Sequence, residues 1–229
     1  MFQPALPEAR SILVLAPHPD DEALGCAGTI SLLSDKGVSV TVCFVTSGDR
    51  LLGEPSRSIA IKRTAEARAV SQSLGCRESL FLGFPDGDVS GHADGISREI
   101  GSIINDRHPD LVLVPSPLDF HADHVALAHI ALRLRQEMKS LQLVFYEVYT
   151  TLRFNCLVDI TKAVRKKKKA ISGYSHSLYG KPEVYIHAAL GLNAHRSIFT
   201  QREGYFEAFY VVGKDSPNQD VLDYLTYGI

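Results

Sequence analysis

The alternation of short apolar runs with longer helical segments is the feature that most constrains the fold of this chain. Residues 12–16 form the first run, which has the length and β-branched content of a buried strand, and a helical pattern of apolar residues follows at 23–33. Strand and helix patterns then alternate as far as Val148. Because parallel strands joined by helical crossovers give this order, we predict an α/β fold with a Rossmann-like, doubly wound, mostly parallel sheet and helices on both faces.

The less regular last third determines the predicted domain organisation. We find no internal repeat and no linker rich in glycine or serine. We therefore predict one domain over residues 1–229, with a βα-repeat core at 1–150 and an α+β extension at 151–229. The predicted strands after the first lie at 38–46, 79–82, 111–114, 141–148, 156–160 and 205–212. The predicted helices after the first lie at 56–74, at 96–105, after Val125, from Lys162 onward and at 182–199.

A dense polar motif, PHPDDE at residues 17–22, follows the first predicted strand. It places an imidazole and three carboxylates where a strand ends and a helix begins, which is the edge at which ligands bind in open α/β sheets. Helix N-termini favour negative charge, so we expect these carboxylates to be ionised there. One acidic residue would suffice to cap a helix, and the density of titratable groups therefore favours a functional site.

A second polar motif, DFHADH at residues 119–124, follows the predicted strand at 111–114. Because parallel strands present their carboxyl ends at one edge of a sheet, we expect the two motifs to meet. Two imidazoles and a carboxylate are the ligands of hydrolytic zinc sites that leave one position open to water. A further carboxylate can act as general base, and a further histidine can stabilise an oxyanion. Spacing alone does not decide which aspartate binds the metal and which is the base.

The motif at 17–22, together with the HADH sequence at 121–124, resembles the signature pair of the PIG-L/LmbE-like family of zinc-dependent de-N-acetylases. A weaker resemblance extends from about residue 12 to residue 209. It implies an LmbE-like version of the Rossmann-like sheet and one zinc ion per chain. It also implies hydrolysis of the acetamide of an N-acetylglucosamine-type sugar, free or conjugated, which releases acetate and a free amine.

The resemblance also assigns roles by motif position. It makes His18, Asp21 and His124 the metal ligands and Asp20 the general base. It gives Glu22 the role of supporting the ligand loop. Adjacent aspartates on a sharp turn agree with this division, because one carboxylate can face the metal and the other can face the attacking water.

The remaining assigned roles concern the substrate side of the site. The resemblance makes His121 the group that stabilises the tetrahedral oxyanion, and Asp123 the residue that holds His121 in the required tautomer. Arg63 and Asp86 match positions that face the sugar in relatives. The alternatives for these two residues are an ion pair between Arg63 and Glu66 on a helix surface and an aspartate in an ordinary turn.

Three other functions remain open from the sequence. The first is a metal-dependent amidase that acts on an amide other than acetyl. The second is a non-haem iron oxygenase, since two histidines and a carboxylate are also its ligand set. The third is a non-catalytic nucleotide-binding module, although the first βα turn lacks Gly-x-Gly-x-x-Gly and places carboxylates where a pyrophosphate would bind.

The charge and hydropathy of the chain limit its partners. A formal net charge of −2 at pH 7 gives no reason to expect nucleic acid or an anionic membrane surface. No apolar run approaches the ~18 residues of a membrane span. The basic run at 165–169 would suit an anion, but the apolar stripe behind it predicts a solvated helix face. We expect a small-molecule N-acetylated sugar or glycoconjugate as partner, with homo-oligomerisation left open.

The cysteines favour a reducing compartment. They are widely spaced and form no Cys-x-x-Cys pair, so we predict buried free thiols rather than disulfides or a thiolate metal site. The N-terminal sequence lacks the pattern of a secretory signal, so we expect the mature start close to Met1 and a cytoplasmic location. The cysteines concerned are Cys26, Cys43, Cys76 and Cys156.

Overall fold

A seven-stranded sheet organises the computed structural model, which describes residues 8–51, 53–138 and 141–228. The strands are β1 (Ser11–Ala16), β2 (Ser39–Thr46), β3 (Glu78–Phe84), β4 (Leu111–Pro115), β5 (Leu143–Tyr146), β6 (Cys156–Asp159) and β7 (Phe206–Val211). The helices are α1 (Asp21–Asp35), α2 (Arg57–Ser73), α3 (Ala93–Arg107), α4 (Ala122–Glu137), α5 (Val164–Ser172), α6 (Pro182–His195), α7 (Ser197–Thr200) and α8 (Asn218–Tyr227). A short 3-10 turn, Thr161–Ala163, precedes α5.

The strand order is β3-β2-β1-β4-β5-β7-β6, with β1 to β5 parallel to one another. Strand β7 runs antiparallel to both β5 and β6. The predicted α/β class with a mostly parallel sheet is therefore confirmed. The chain first moves from β1 toward β3 and then returns to the other side of β1 at β4. A crevice between β1 and β4 results at such a switch point, and ligands bind there in open α/β sheets.

Strand β1 separates two apolar cores. Ile12 and Val14 pack in one core with residues of α1, α2 and α5, whereas Leu13 and Leu15 pack in the other with residues of α3, α4 and α8. Helices therefore cover both faces of the sheet, as predicted. All four of these side chains are almost completely buried, and burial of such a side chain contributes about 1.5–3 kcal/mol. The strand that presents the first polar motif is thus firmly anchored.

The secondary structure of the last third departs from the sequence predictions in two places. The helix predicted at 182–199 is broken into α6 and α7. Helix α8 lies at 218–227, where no element was predicted. It buries Val221 and Leu225 in the second core, so tertiary packing stabilises a segment that lacks a strong local signal.

The sequence predicted that the basic run at 165–169 forms a solvated helix face, and this prediction is wrong for Lys167. Lys167 is completely buried, and its Nζ lies 2.7 Å from Oε1 of Glu207. Glu207 also accepts hydrogen bonds from the backbone N–H groups of Gly28 and Thr29. Because Lys167 lies four residues after Ala163 and three before Ala170, it shares their inward face of α5. The contact between Lys167 and Glu207 therefore helps to hold α1, α5 and β7 together.

Three of the predicted free thiols are present in the structure. Cys26, Cys43 and Cys76 carry free thiols, and burial raises the pKa of both Cys43 and Cys76 to about 12. Across the described ranges, each helix is too short or too polar to cross a bilayer. The prediction about the start of the chain near Met1 lies outside the described residues.

Candidate metal centre and active site

The β1–α1 loop brings the first motif into the interior. Residues 17–22 are all buried, and the hydroxyl and backbone N–H of Thr46 both donate to the carbonyl oxygen of Pro17. Asp20 has a φ of 133°, a conformation that residues other than glycine rarely adopt and that costs about 1–3 kcal/mol. Helix α1 begins directly after it at Asp21. The loop therefore holds two adjacent aspartates in a strained and well-supported turn.

The β4–α4 loop carries the second motif, and Asp119 organises it. The Asp119 carboxylate accepts hydrogen bonds from the backbone N–H groups of His121 and Tyr149, at 3.0 and 3.1 Å. His121 is the N-cap of α4, and its Nδ1 accepts a hydrogen bond from the backbone N–H of Asp123 at 3.2 Å. Burial and two neighbouring histidines lower the pKa of His121. The ring is therefore neutral, with its proton on Nε2.

The two loops meet around the carboxylate of Asp21. Its Oδ2 lies 3.3 Å from Nδ1 of His18 and 3.3 Å from Nε2 of His124. The His121 ring centroid lies 4.6 Å from that of His18 and 5.1 Å from that of His124. Nitrogens of the three rings lie within 4.8 Å of one another, a spacing that could hold a metal ion. The predicted meeting of the two motifs at one sheet edge is confirmed.

The donor atoms at this position fit a divalent cation. Within the described ranges, Oδ1 of Asp21 is buried without a hydrogen-bond partner, although buried polar atoms almost always have one. Each ring nitrogen of His124 has a carboxylate oxygen at 3.3 Å but forms no well-aligned hydrogen bond. Burial lowers the pKa of His124, but the charge of Asp21 and the contact with Asp119 outweigh this effect and raise the pKa to about 9. The surroundings therefore favour a positive charge. Two imidazoles with a carboxylate also form the donor set of hydrolytic zinc sites.

The other ring nitrogen of His18 faces two carboxylates. Nε2 lies 3.1 Å from Oδ2 of Asp123 and 3.1 Å from Oδ1 of Asp86. Because carboxylates accept hydrogen bonds, Nε2 carries a proton, and in the neutral ring Nδ1 is left with the lone pair. Nδ1 is the nitrogen that lies beside Asp21. The carboxylates of Asp86 and Asp123 thus orient the ring of His18 so that its lone pair on Nδ1 faces Asp21.

The resemblance implied that Asp123 holds the ring of His121, but the Asp123 side chain contacts His18 instead. Its carboxylate lies against His18 and accepts hydrogen bonds from the backbone N–H groups of Gly87 and Val89, at 2.8 and 3.1 Å. Within the described residues, its hydrogen bond with His121 is made by its backbone N–H. The first turn of α4 directs the side chain toward the β3–α3 loop. The tautomer of His121 is therefore set by main-chain geometry.

Arg63 joins three loops beneath the site. Its Nη1 and Nη2 donate to the carbonyl oxygens of Gly48 and Pro19, at 3.0 and 3.1 Å. Its Nε donates to the hydroxyl of Ser177 at 3.0 Å. The side chain is 4% exposed, so these bonds form out of water and are correspondingly strong. Arg63 therefore fixes the β1–α1 loop against the β2–α2 and α5–α6 loops.

The remaining contacts of Arg63 exclude the surface ion pair that the sequence left open. Its guanidinium lies 3.5 Å from Oδ2 of Asp20 and 3.6 Å from Oδ2 of Asp86. Glu66 instead accepts hydrogen bonds from the ring and the backbone N–H of His176. Burial raises the pKa of Asp86, but the contacts with His18 and Arg63 outweigh this effect and leave the pKa below its usual value. Arg63 and Asp86 thus both belong to the site.

Glu22 contacts the opposite side of its loop. The hydroxyl of Tyr174, which follows α5, donates to Oε1 of Glu22 at 2.5 Å. Both side chains are completely buried, and burial raises the pKa of Glu22 to about 7. The pair links the first turn of α1 to the C-terminal third of the chain.

The structure adds residues that the sequence analysis did not assign. Oδ1 of Asp119 lies 3.3 Å from Nδ1 of His124, so this carboxylate orients a candidate metal ligand. The ring of Tyr149 stacks on His124 at a centroid distance of 5.5 Å. Asp119 could have been found from its place in the second motif. Tyr149 and Ser177 had no such signal, because their positions depend on how distant loops fold back.

A cavity of about 280 Å³ opens beside these groups. It is lined by His18, Asp20, Arg50, Leu51, Arg63, Asp86, Phe120, His121, Tyr149, Ser177, Tyr179 and Tyr185. His195 is exposed at the end of α6 and does not line this cavity.

Three known proteins resemble this chain in sequence or fold. It is 30% identical over 197 residues to a probable N-acetyl-alpha-D-glucosaminyl L-malate deacetylase 2 of Bacillus cereus, a match that covers 82% of this chain and 83% of that protein. An N,N'-diacetylchitobiose deacetylase from Pyrococcus horikoshii matches with a TM-score of 0.78 and 22% identity, over 93% of this chain and 89% of that one. GalB, the 4-carboxy-2-hydroxymuconate hydratase of Pseudomonas putida, matches with a TM-score of 0.74 and 22% identity, over 89% of this chain and 96% of that one.

At 22% identity the two structures show the fold alone, and one of them is a hydratase. The family assignment rests on sequence. A family model described as PIG-L, GlcNAc-PI de-N-acetylase, matches residues 13–134, which is more than half of the chain and includes both motif loops. Together with the relative that is 30% identical, this match shows that the chain belongs to the PIG-L family.

Proposed function

We propose that this protein is a zinc-dependent de-N-acetylase that hydrolyses the acetamide of an N-acetyl amino sugar or its conjugate. The observation that carries the proposal is the meeting of His18, Asp21 and His124, next to a cavity that His18 and Asp20 line. The family and the name of the Bacillus cereus relative support the same reaction.

The proposed ligands of one zinc ion are Nδ1 of His18, the carboxylate of Asp21 and Nε2 of His124. Asp21 lies 3.3 Å from both imidazoles, which supports it as the third ligand. The competing candidate is His121, whose ring is also close enough. However, Nδ1 of His121 already accepts the N–H of Asp123, and its other nitrogen is needed as a donor in the reaction. When bound, the ion supplies a Lewis acid that lowers the pKa of a water molecule from ~15.7 to roughly 7.

Asp20 is the proposed general base. Burial and the charge of Asp21 raise the pKa of its carboxyl well above the usual value, and Arg63 and His18 oppose this shift. A raised pKa improves proton transfer at neutral pH. Asp20 accepts a proton as the water oxygen adds to the acetamide carbon. It then gives the proton to the sugar nitrogen as the C–N bond breaks, which leaves acetate and a free amine.

His121 is the proposed donor to the developing oxyanion. Its Nδ1 accepts a main-chain hydrogen bond, so Nε2–H is available for the cavity that the ring lines. A fixed donor aimed at developing charge typically contributes on the order of 10²–10³ in rate. The support comes from the N-cap position, which holds the ring in place before substrate binds.

Arg63 and Asp86 are the proposed contacts for the sugar. The Asp86 carboxylate lines the cavity and can accept hydrogen bonds from hydroxyl groups. Three donors of Arg63 are taken by protein acceptors, which leaves two N–H groups of the five on the guanidinium. Arg63 therefore acts chiefly by fixing the loops, and Asp86 acts by direct contact.

The test is a measurement of zinc content followed by an assay for acetate and free amine. Stoichiometric zinc, with acetate released from N-acetylglucosamine or its glycosides, is expected. The assay includes N-formyl and N-propionyl analogues, because an amidase with another acyl preference would cleave these faster. Stoichiometric metal without amide cleavage, or a product that requires oxygen, would contradict the proposal.

A further inference from the structure

The carboxylate of Glu66, in α2, accepts four hydrogen bonds from the segment between α5 and α6. Its Oε1 accepts the backbone N–H and the ring Nδ1–H of His176, each at 2.7 Å. Its Oε2 accepts the backbone N–H and the hydroxyl of Ser177, at 3.2 and 3.3 Å. An ionised carboxylate offers about four acceptor sites, so all of them are used here. The Glu66 side chain is 12% exposed and lies outside the cavity lining, yet it holds Ser177, which belongs to that lining.

Ser177 connects Glu66 to Arg63. Its hydroxyl donates to Oε2 of Glu66 and accepts the Nε–H of Arg63 at 3.0 Å. A serine hydroxyl has one hydrogen and two lone pairs, so the bond to Glu66 directs the lone pairs of the oxygen toward the guanidinium. Ser177 is buried, and water therefore does not compete for these bonds. The Glu66 carboxylate thus fixes the direction in which Arg63 can donate through Nε.

The guanidinium of Arg63 transmits this direction to the active site because it is planar and rigid. Once Nε–H is fixed, the positions of Nη1 and Nη2 follow, and these nitrogens donate to the carbonyl oxygens of Gly48 and Pro19. Nη1 also lies 3.6 Å from Asp86, and Nη2 lies 3.5 Å from Asp20. A Cβ at Gly48 would lie only 3.1 Å from Nη1, so the guanidinium has little space for another orientation. The orientation of this one group therefore decides how a positive charge meets both carboxylates.

We propose that Glu66 is a positioning residue of the active site: acting through the hydroxyl of Ser177, it holds the guanidinium of Arg63 in the orientation that substrate binding requires. This inference rests on the proposed function. A carboxylate is needed because glutamine at this position would offer two acceptor sites in place of four and would add two donors. Two of the four donors from His176 and Ser177 would then lose their acceptor. The Ser177 hydroxyl would be released from its present orientation, and Nε–H of Arg63 would lose a fixed partner.

The kinetic test compares Glu66→Gln with the unsubstituted, zinc-loaded full chain. The substrate is the N-acetylglucosamine glycoside from which acetate is released fastest. Because Glu66 acts through Arg63, we expect Glu66→Gln to raise KM about three- to tenfold and to leave kcat within about twofold. A carboxylate that only stabilised the fold would lower the active fraction and hence the apparent kcat, with KM unchanged, and that result overturns the inference. The matched control is Glu78→Gln, which removes a carboxylate that bonds to Arg107 at the surface and should leave both constants unchanged.

A double-mutant cycle tests the route through Arg63. In the Arg63→Lys background, the ammonium group lacks the Nε–H that Ser177 accepts. Adding Glu66→Gln to this background should therefore change KM by less than about twofold, since the two substitutions remove the same interaction. If the increases in KM of the two single variants multiply instead, Glu66 acts independently of Arg63 and the inference is wrong.

A spectroscopic test separates this inference from the proposed reaction, because it requires no turnover. In protein that contains isotopically labelled arginine, the NMR signal of the Arg63 Nε–H is identified by its loss in Arg63→Lys. We expect this signal to shift in Glu66→Gln and its hydrogen exchange to become at least about tenfold faster, because the bond that protects it opens more often. Glu78→Gln should leave the shift and the exchange rate unchanged.

Ser177→Ala provides a second variant for the same measurement, because it removes only the hydroxyl that joins Glu66 to Arg63. It should shift the Arg63 signal and speed its exchange in the same way, and it decides the question if Glu66→Gln does not fold. An Arg63 signal that is unchanged in a folded variant of either kind overturns the positioning role, even if the protein deacetylates sugars. Absence of deacetylation with every substrate overturns the proposed function, and the Arg63 signal still decides whether Glu66 holds the guanidinium.

Discussion

The floor of the site and the four aromatic side chains that line its cavity, Phe120, Tyr149, Tyr179 and Tyr185, are built on opposite physical principles. The floor, formed by His18, Asp20, Asp21, His121 and His124, is mostly buried, and each loop that carries it is tied down by several hydrogen bonds. Three of the aromatic residues, Phe120, Tyr149 and Tyr179, are exposed and lie in loops, whereas Tyr185 lies in α6. Buried polar groups must be satisfied, so the floor tolerates few changes. We therefore expect substitutions in the floor and at the exposed aromatic rings to have separable effects.

Removal of a proposed metal ligand from the floor should have the largest effect. His124→Ala should weaken zinc binding by more than about 100-fold, because loss of even a residue that only supports a ligand costs about 10–100-fold. Zinc affinity is measured by competition with a chelator of known affinity. The control is His129→Ala, which removes an exposed histidine of the same helix and should leave zinc affinity within about twofold. Unchanged zinc affinity in His124→Ala would show that the floor is not the metal centre.

Substitution of the proposed base should separate catalysis from metal binding. Asp20→Asn should retain stoichiometric zinc and lower kcat by ~10²-fold or more, since a positioned base contributes about 10²–10⁴. The readouts are zinc content and initial rates at saturating substrate. Asp88→Asn, in an exposed position of the β3–α3 loop, serves as the control. Full activity of Asp20→Asn would move the role of base to another carboxylate, and loss of zinc would place Asp20 among the ligands.

The guanidinium beneath the floor provides a smaller test. Arg63→Lys should raise KM about tenfold, because one ammonium group lacks the planar fork that reaches Gly48, Pro19 and Ser177. Michaelis constants and zinc content are the measurements. Arg57→Lys, at an exposed position of the same helix, should behave as wild type. Wild-type kinetics in Arg63→Lys would show that a positive charge at this position is sufficient for activity and that the three hydrogen bonds of the guanidinium to the loops are not required.

Stability measurements sharpen the comparison with the smallest expected effects. Tyr174→Phe should lower the free energy of unfolding by about 1–3 kcal/mol, because it leaves the buried Glu22 carboxyl without its partner. Phe120→Ala should change it by less than about 0.5 kcal/mol, since an exposed ring has little packing to lose. Urea unfolding of the metal-free variants gives both values. Equal losses in the two variants would contradict the division between buried, hydrogen-bonded groups and exposed aromatic rings.

Local patterns in the sequence predicted the sheet and its helices well. Strands at 12–16 and 38–46 were recognisable because strands buried on both faces are mostly apolar and β-branched. Helix α8 and the burial of Lys167 were missed, because each depends on a partner far away in the chain. The same reason explains Asp123: its place in the first turn of α4 was evident, whereas its contact with His18 depends on where the β1–α1 loop lies.

The sequence by itself determined the chemical inventory of this protein: two histidine- and aspartate-rich loops, each following a parallel strand, in the order that marks the PIG-L family. Tertiary structure decided which atoms meet. It placed Asp21 between two imidazoles, made Arg63 a buried clasp and gathered four aromatic rings at the mouth of one cavity. The physical reason is the distance along the chain over which each factor acts. Propensity and hydrophobic period act over a few residues, whereas a site forms from groups that are distant in sequence and become neighbours only when the sheet is assembled.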